Sequence, residues 1–146
     1  MIKVNTYDLN SIENEKLIFA VIIARFKEKF VYVKHRKRDT WEIPGGKREA
    51  SEDIIETAKR ELFEETGAKK YKLTPICIYE VEKDDIGGYR NDFGQVFFAE
   101  IEEFDILPTS EIGEVKLFSK QPENLTYPSI QPYLYEKVIQ FLNKKN

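Results

Sequence analysis

The sequence predicts an α/β fold. Three observations carry that expectation: Val/Ile/Phe-rich runs of strand length recur along the chain, a helix-forming segment with its own start and stop signals interrupts them, and apolar residues at helical spacing close the C-terminal part.

In chain order, Lys16 to Phe26 and Lys29 to Lys34 are β-rich runs joined by a short charged turn, which predicts a hairpin. A basic run, Lys34-His35-Arg36-Lys37-Arg38, leads into Trp41-Glu42-Ile43-Pro44-Gly45-Gly46. The two glycines predict a loop entering a helix, with backbone that another group can approach closely. Ser51 is placed to cap that helix, which should run to about Thr66, and Gly67 to end it in a left-handed conformation. Strands are expected over Thr74 to Glu82 and Phe93 to Ile101, separated by the turn cluster Asp84-Asp85-Ile86-Gly87-Gly88. A short strand should span Val115 to Phe118. Leu134, Val138, Phe141 and Leu142 place a terminal helix over about Gln131 to Asn143.

The first helix carries the chemistry. At about 100° per residue, Ile54, Ile55, Ala58 and Leu62 share one arc, the face expected to pack on a sheet. Glu61, Glu64 and Glu65 fall on the adjoining arc, because residues three and four apart are neighbours on a helix. Carboxylates crowded at the rim of a buried face repel and raise one another's pKa, so a divalent cation is the natural compensation. Oxygen ligands without Cys or His favour Mg²⁺, or Mn²⁺ in its place, over zinc. The other reading of a Glu-rich helix is a solvated acidic surface. Arg60 can pair with Glu56 or Glu64 and orient a carboxylate, or form an ordinary surface pair. Phe63 lies nearly opposite the apolar arc, where a loop or a partner would have to cover it.

The 146 residues suit a single domain, 1–146, and the net charge of −3 argues against general nucleic-acid binding. Cys77 is alone and cannot form an intramolecular disulfide, which suits a reducing compartment. The longest apolar run, Leu17 to Ala24, is too short to span a bilayer, and the N-terminal segment lacks a signal-peptide layout. These features predict a cytoplasmic protein that does not associate with membranes; oligomeric state stays open.

Gly46 to Ala68 fits G-x5-E-x7-R-E-U-x-E-E-x-G-U, where U is apolar, and so resembles the Nudix box. The resemblance to Nudix hydrolases implies an α/β/α sandwich around a mixed β-sheet, with the box as loop, helix and loop. Trp41 to Lys47 looks like the segment leading into the box in the MutT-like branch, which hydrolyses nucleoside triphosphates. By that resemblance Glu61, Glu64 and Glu65 are metal ligands together with the Gly45 carbonyl, while Glu52 and Arg60 orient them. The proline of the ADP-ribose branch has no counterpart at Glu82-Lys83-Asp84, and Pro75 comes too early, which favours a triphosphate.

Family members often supply a further glutamate from a later loop, as ligand or general base. Thr109-Ser110-Glu111-Ile112-Gly113-Glu114 offers Glu111 first and Glu114 in reserve, the other reading being solvated loop acids. Lys34, His35, Arg36 and Arg38 can touch a phosphate tail or form a solvated strand end. Trp41 belongs with the expected substrate contacts through the segment it opens. Tyr127 can stack on a base, and Gln131 can hydrogen-bond a purine edge through its amide, unless Ser129 or Gln131 serves as a helix cap. The expected activity is Mg²⁺-dependent cleavage of a small nucleotide, a nucleoside triphosphate such as 8-oxo-dGTP. The alternatives are a nucleotide sensor without turnover, or a hydrolase of other nucleoside diphosphate derivatives or RNA 5′ ends.

Overall fold

The computed structural model describes residues 1–106 and 111–144, which form one seven-stranded sheet with a helix on each face. The elements are β1 (Ile2–Tyr7), β2 (Leu17–Phe26), β3 (Lys29–His35), β4 (Gly45–Lys47), α1 (Ile54–Thr66), β5 (Ala68–Asp85), β6 (Gly88–Phe104), β7 (Ile112–Phe118) and α2 (Gln131–Lys144). The strand order is β1-β5-β6-β2-β3-β7, with β4 paired to β2. The β2–β6 pair is parallel and the other pairs are antiparallel, so the sheet is mixed as expected.

Alternation in β2 builds both cores. Ala20, Ile22 and Ala24 pack with Ile54, Ala58 and Leu62 of α1 on one face, while Val21 and Ile23 pack with Leu134, Tyr135 and Val138 of α2 on the other. A strand buried on both faces reads as a continuous apolar run rather than an alternating one, which is the pattern of Leu17 to Ala24. The charged turn between β2 and β3 holds Lys27 and Glu28 at φ 49° and 70°, the left-handed pair that a two-residue hairpin turn requires.

Several boundaries differ from the sequence expectation. β1 is absent from the runs expected above: Ile2–Tyr7 is short and half polar, and its place is set by pairing with Lys83 to Ile78 of β5. β5 and β6 extend well beyond the expected limits into a long hairpin whose polar ends pair through backbone bonds, with Asp85 opposite Gly88. The helix cap is Asp53 rather than Ser51, because Glu49 and Glu52 close a tight turn around Ser51 before the helix starts. Glu56 then reaches back to the Asp53 N–H at 3.1 Å. Ile55, about 100° round the first turn from Ile54, is 43% exposed rather than packed and leaves the core face to Ile54, Ala58 and Leu62. Gly67 ends α1 at φ 79°, where glycine has no steric penalty. Phe63 is 40% exposed. Among the described residues, no helix is long and apolar enough to cross a membrane.

Candidate active site

The Gly45-Gly46 segment is a short strand rather than a loop. The Ile22 N–H donates to Pro44 and the Arg48 N–H to Ile18, at 2.9 and 2.6 Å. Bonds along an antiparallel pair fall on alternate residues, so the polar groups of Gly45 face away from β2. Its N–H donates to Glu65 Oε1 at 2.9 Å, and its carbonyl is directed to that same side. A side chain at Gly45 would overlap the Ala20 backbone carbonyl of β2, and one at Gly46 would displace the Glu61 carboxylate, so glycine lets β4 lie this close to β2 and α1.

One guanidinium organises the other carboxylates. Arg60 donates to both oxygens of Glu52 at 2.5 and 2.9 Å, to Glu61 at 2.5 Å, to Glu64 at 2.8 Å and to the Lys47 carbonyl at 3.1 Å. Those bonds hold the Glu52 carboxyl down at about 2, against the desolvation of its site. Burial pushes Glu61 up to about 7, opposed by Arg60 and reinforced by Glu64. Glu65, buried more deeply, is driven up to about 8 by desolvation, against the Gly45 donor and with the charges of Glu61, Glu42 and Glu64 adding to it. Arg60 therefore pairs with Glu64, as helix spacing allows, and also with Glu52 and Glu61, while Glu56 caps α1 instead.

Among the described residues, no three acidic, His or Cys side chains converge as a ready metal cage. Glu61 and Glu64 meet Arg60, while Glu65 meets Gly45. The donor set nonetheless suits a hard divalent ion: Glu61, Glu64, Glu65 and the Gly45 carbonyl offer oxygen alone, and the raised carboxyls are groups that a cation would relieve.

A cavity of about 340 Å³ adjoins β4, lined by Ile43, Gly45, Gly46, Tyr79, Tyr127 and Gln131, with Glu42, Lys83 and Asp92 also on its wall. Tyr127 is half-exposed and takes the Arg38 guanidinium, which donates to its hydroxyl at 3.3 Å and lies 5.9 Å from its ring centroid. Gln131 is the first residue of α2 and is buried. Its Oε1 accepts from the Ile43 N–H at 2.8 Å, leaving only the amide N–H₂ free to face a ligand.

The other sequence candidates sit elsewhere. Lys34, His35, Arg36 and Trp41 do not line the cavity. Trp41 is buried against Phe118, with Lys34 Nζ 4.5 Å from its ring centroid. Arg36 is exposed. Glu111 is also exposed, and its backbone carbonyl accepts from the Arg36 N–H at 2.8 Å. Glu114 stands opposite Lys34 in the β3–β7 register. Thr109 and Ser110 of the same segment lie outside the described residues.

Sequence reasoning missed Glu42 and the contacts of His35. His35 Nε2 is 2.9 Å from Glu42 and 3.5 Å from Glu65. The signal was available in the period of β3, since His35 falls in step with Val31, which packs on the α1 face.

The family model of the NUDIX domain matches residues 15–136. The chain belongs to this family. A curated relative, the putative 8-oxo-dGTP diphosphatase YtkD of Bacillus subtilis, is 35% identical over 108 residues, covering 72% of this chain and 64% of that protein. The mouse nucleoside diphosphate-linked moiety X motif 6 is 50% identical over 36 residues, 25% of this chain and 12% of the relative. The chain thus spans less than two thirds of the length of either. Among solved structures, a mutant of the Bacillus subtilis pyrophosphohydrolase BsRppH aligns with a TM-score of 0.75 at 25% identity, covering 95% of this chain and 90% of that one. A UDP-X diphosphatase aligns at 0.72 and 21% identity, over 94% and 68%, and shares the Nudix fold. In Nudix terms, the box is the segment from Gly46 through α1 to Ala68, and its strand-bound Gly46, with Gly45 before it, and Arg60-centred carboxylates form the site described above.

Proposed function

We propose that residues 1–146 form a single-domain, Mg²⁺-dependent pyrophosphohydrolase that cleaves a nucleoside triphosphate to the monophosphate and pyrophosphate. Oxidised purine nucleotides such as 8-oxo-dGTP are the first substrates to test. The observation that carries this reading is a box of glutamates beside a cavity with an aromatic wall and one free amide donor. The naming of YtkD as an 8-oxo-dGTP diphosphatase points the same way. The half-buried Cys77 thiol, pushed up to about 11 by desolvation, is a poor nucleophile and suits a reducing, cytoplasmic setting.

Glu61, Glu64, Glu65 and the Gly45 carbonyl would hold the ion, with Mn²⁺ as a substitute. Bound there, it would neutralise phosphate charge and make a coordinated water more acidic. The residues of the chain do the rest. Arg60 and Glu52 fix the carboxylates, so little reorganisation remains when substrate arrives. Tyr127 offers a face for a base, and the Gln131 amide offers a donor beside it. A box carboxylate or Glu111 takes the proton of the attacking water. Arg38, which donates to the hydroxyl of cavity-lining Tyr127, supplies positive charge near the mouth for a polyanion.

The test is a panel of standard and oxidised nucleoside triphosphates, nucleotide sugars and triphosphorylated or capped RNA with Mg²⁺, scored for orthophosphate against pyrophosphate. Pyrophosphate release from a nucleoside triphosphate supports the proposal. Turnover of RNA ends or nucleotide sugars alone would replace its substrate class, and binding without turnover would make the chain a sensor.

A further inference from the structure

Glu42 and Glu65 are each 8% exposed and come from separate parts of the chain, the segment before β4 and the end of α1. Two buried carboxylates with one imidazole between them form an arrangement that the Nudix box pattern does not specify. His35, at the end of β3, has its Nε2 2.9 Å from Glu42 Oε1 and 3.5 Å from Glu65 Oε2. The remaining Glu42 oxygen, Oε2, accepts from Arg38 at 3.0 Å, and the remaining Glu65 oxygen, Oε1, accepts from Gly45. Each of the four carboxylate oxygens therefore has a partner, and the chain of contacts runs from Tyr127 through Arg38, Glu42 and His35 to Glu65.

We infer that His35 and Glu42 are positioning residues for Glu65: the ring edge, seated 2.9 Å from Glu42, stands 3.5 Å from the carboxylate oxygen of Glu65 that the Gly45 N–H leaves free and limits its swing. The inference rests on the metal-dependent reading given above and deepens it. The geometry explains why the only histidine is drawn away from the cavity. The Glu65 carboxylate has its hydrogen bond from Gly45 on one oxygen, and without the His35 contact its other oxygen can rotate away from the box. Partners that orient a ligand in this way typically change metal affinity by about tenfold to a hundredfold when removed. Glu42 acts one step back, by keeping the ring from turning.

The experiment measures Mn²⁺ binding by electron paramagnetic resonance on the full chain without substrate, alongside kcat and KM with Mg²⁺. His35→Ala should weaken Mn²⁺ binding by about tenfold or more. His35→Gln, whose amide nitrogen can approach the same oxygens, should restore part of the affinity. Glu42→Gln should give a smaller loss in the same direction. Near-UV circular dichroism establishes that each variant is folded, and Glu42→Gln, which keeps shape and hydrogen-bonding capacity, carries the test should His35→Ala fail to fold. Unchanged Mn²⁺ affinity in folded His35 and Glu42 variants overturns the inference. So does a rise confined to KM for the triphosphate, which would make His35 a phosphate contact. If the parent itself binds no Mn²⁺, the metal-dependent reading fails instead.

Discussion

Replacing Arg60 with glutamine removes the single cation around which Glu49, Glu52, Glu61 and Glu64 are gathered. The partners differ in weight. Glu52 and Glu61 side chains are each 14% exposed, whereas those of Glu49 and Glu64 are 61% and 47% exposed. The exposed pairs contribute less than about 1 kcal/mol each. Breaking a shielded pair costs about 3–5 kcal/mol, and contributions around one guanidinium do not add. Because the Arg60 side chain is itself 25% exposed, solvent screening brings the expected loss to about 3 kcal/mol. With a urea dependence of about 2 kcal/mol per molar, the unfolding midpoint should fall by about 1.5 M in chelator near neutral pH. Saturating Mg²⁺ should stabilise Arg60→Gln more than the parent, since the freed carboxylates gain a cation. Arg60→Lys, which keeps the charge and loses the fork, should recover only part of the loss. A metal-free loss below about 0.5 kcal/mol for Arg60→Gln would refute this account and make the cluster an ordinary solvated surface.

Other substitutions divide the site further. Glu61→Gln and Glu64→Gln should each lower turnover at least about a hundredfold in steady-state assays at saturating Mg²⁺, and near-parental rates in both would remove the ligand assignment. Metal-free stability should fall as pH rises from about 4.5 through 7 and 8, because folded Glu61 and Glu65 retain protons that the unfolded chain has already released. Glu52 works in the opposite sense: its contribution is present above about 4.5 and is lost as pH falls through about 2. Thermal melts across that range, with and without Mg²⁺, check both slopes, and a rise in metal-free stability between pH 5 and 8 would contradict the first. Gln131→Ala should cost about 1–3 kcal/mol by orphaning the buried Ile43 N–H, seen in urea unfolding, and should raise KM for purine over pyrimidine triphosphates. Glu111→Gln should lower kcat about tenfold to a thousandfold while Glu114→Gln does much less; the reverse order in kinetic assays would move the general base by three residues.

Residue type at short, regular spacing was enough to mark the box helix, its glycine stop at Gly67 and the family motif, whereas the layers on either face of β2 followed only from the family resemblance. Local rules were weaker at the helix start, where Ser51 and Asp53 are both competent caps and a turn closed by Glu49 and Glu52 decided between them. Three features came from contacts between distant parts of the chain. β1 and the outer ends of β5 and β6 are strands because backbone pairing with a neighbour satisfies their polar groups, which apolar patterning does not reveal. Gly45 and Gly46 became a strand because β2 supplied an edge to pair with. The company of Arg60, His35 and Glu42 was set by residues from distant parts of the chain meeting at one place. Helix spacing brought Glu64 within reach of Arg60 by sequence alone, whereas Glu52 had to fold back from before the helix and Glu42 had to bridge to β3. Electrostatic partners are chosen by distance in space, and only the folded chain determines that distance.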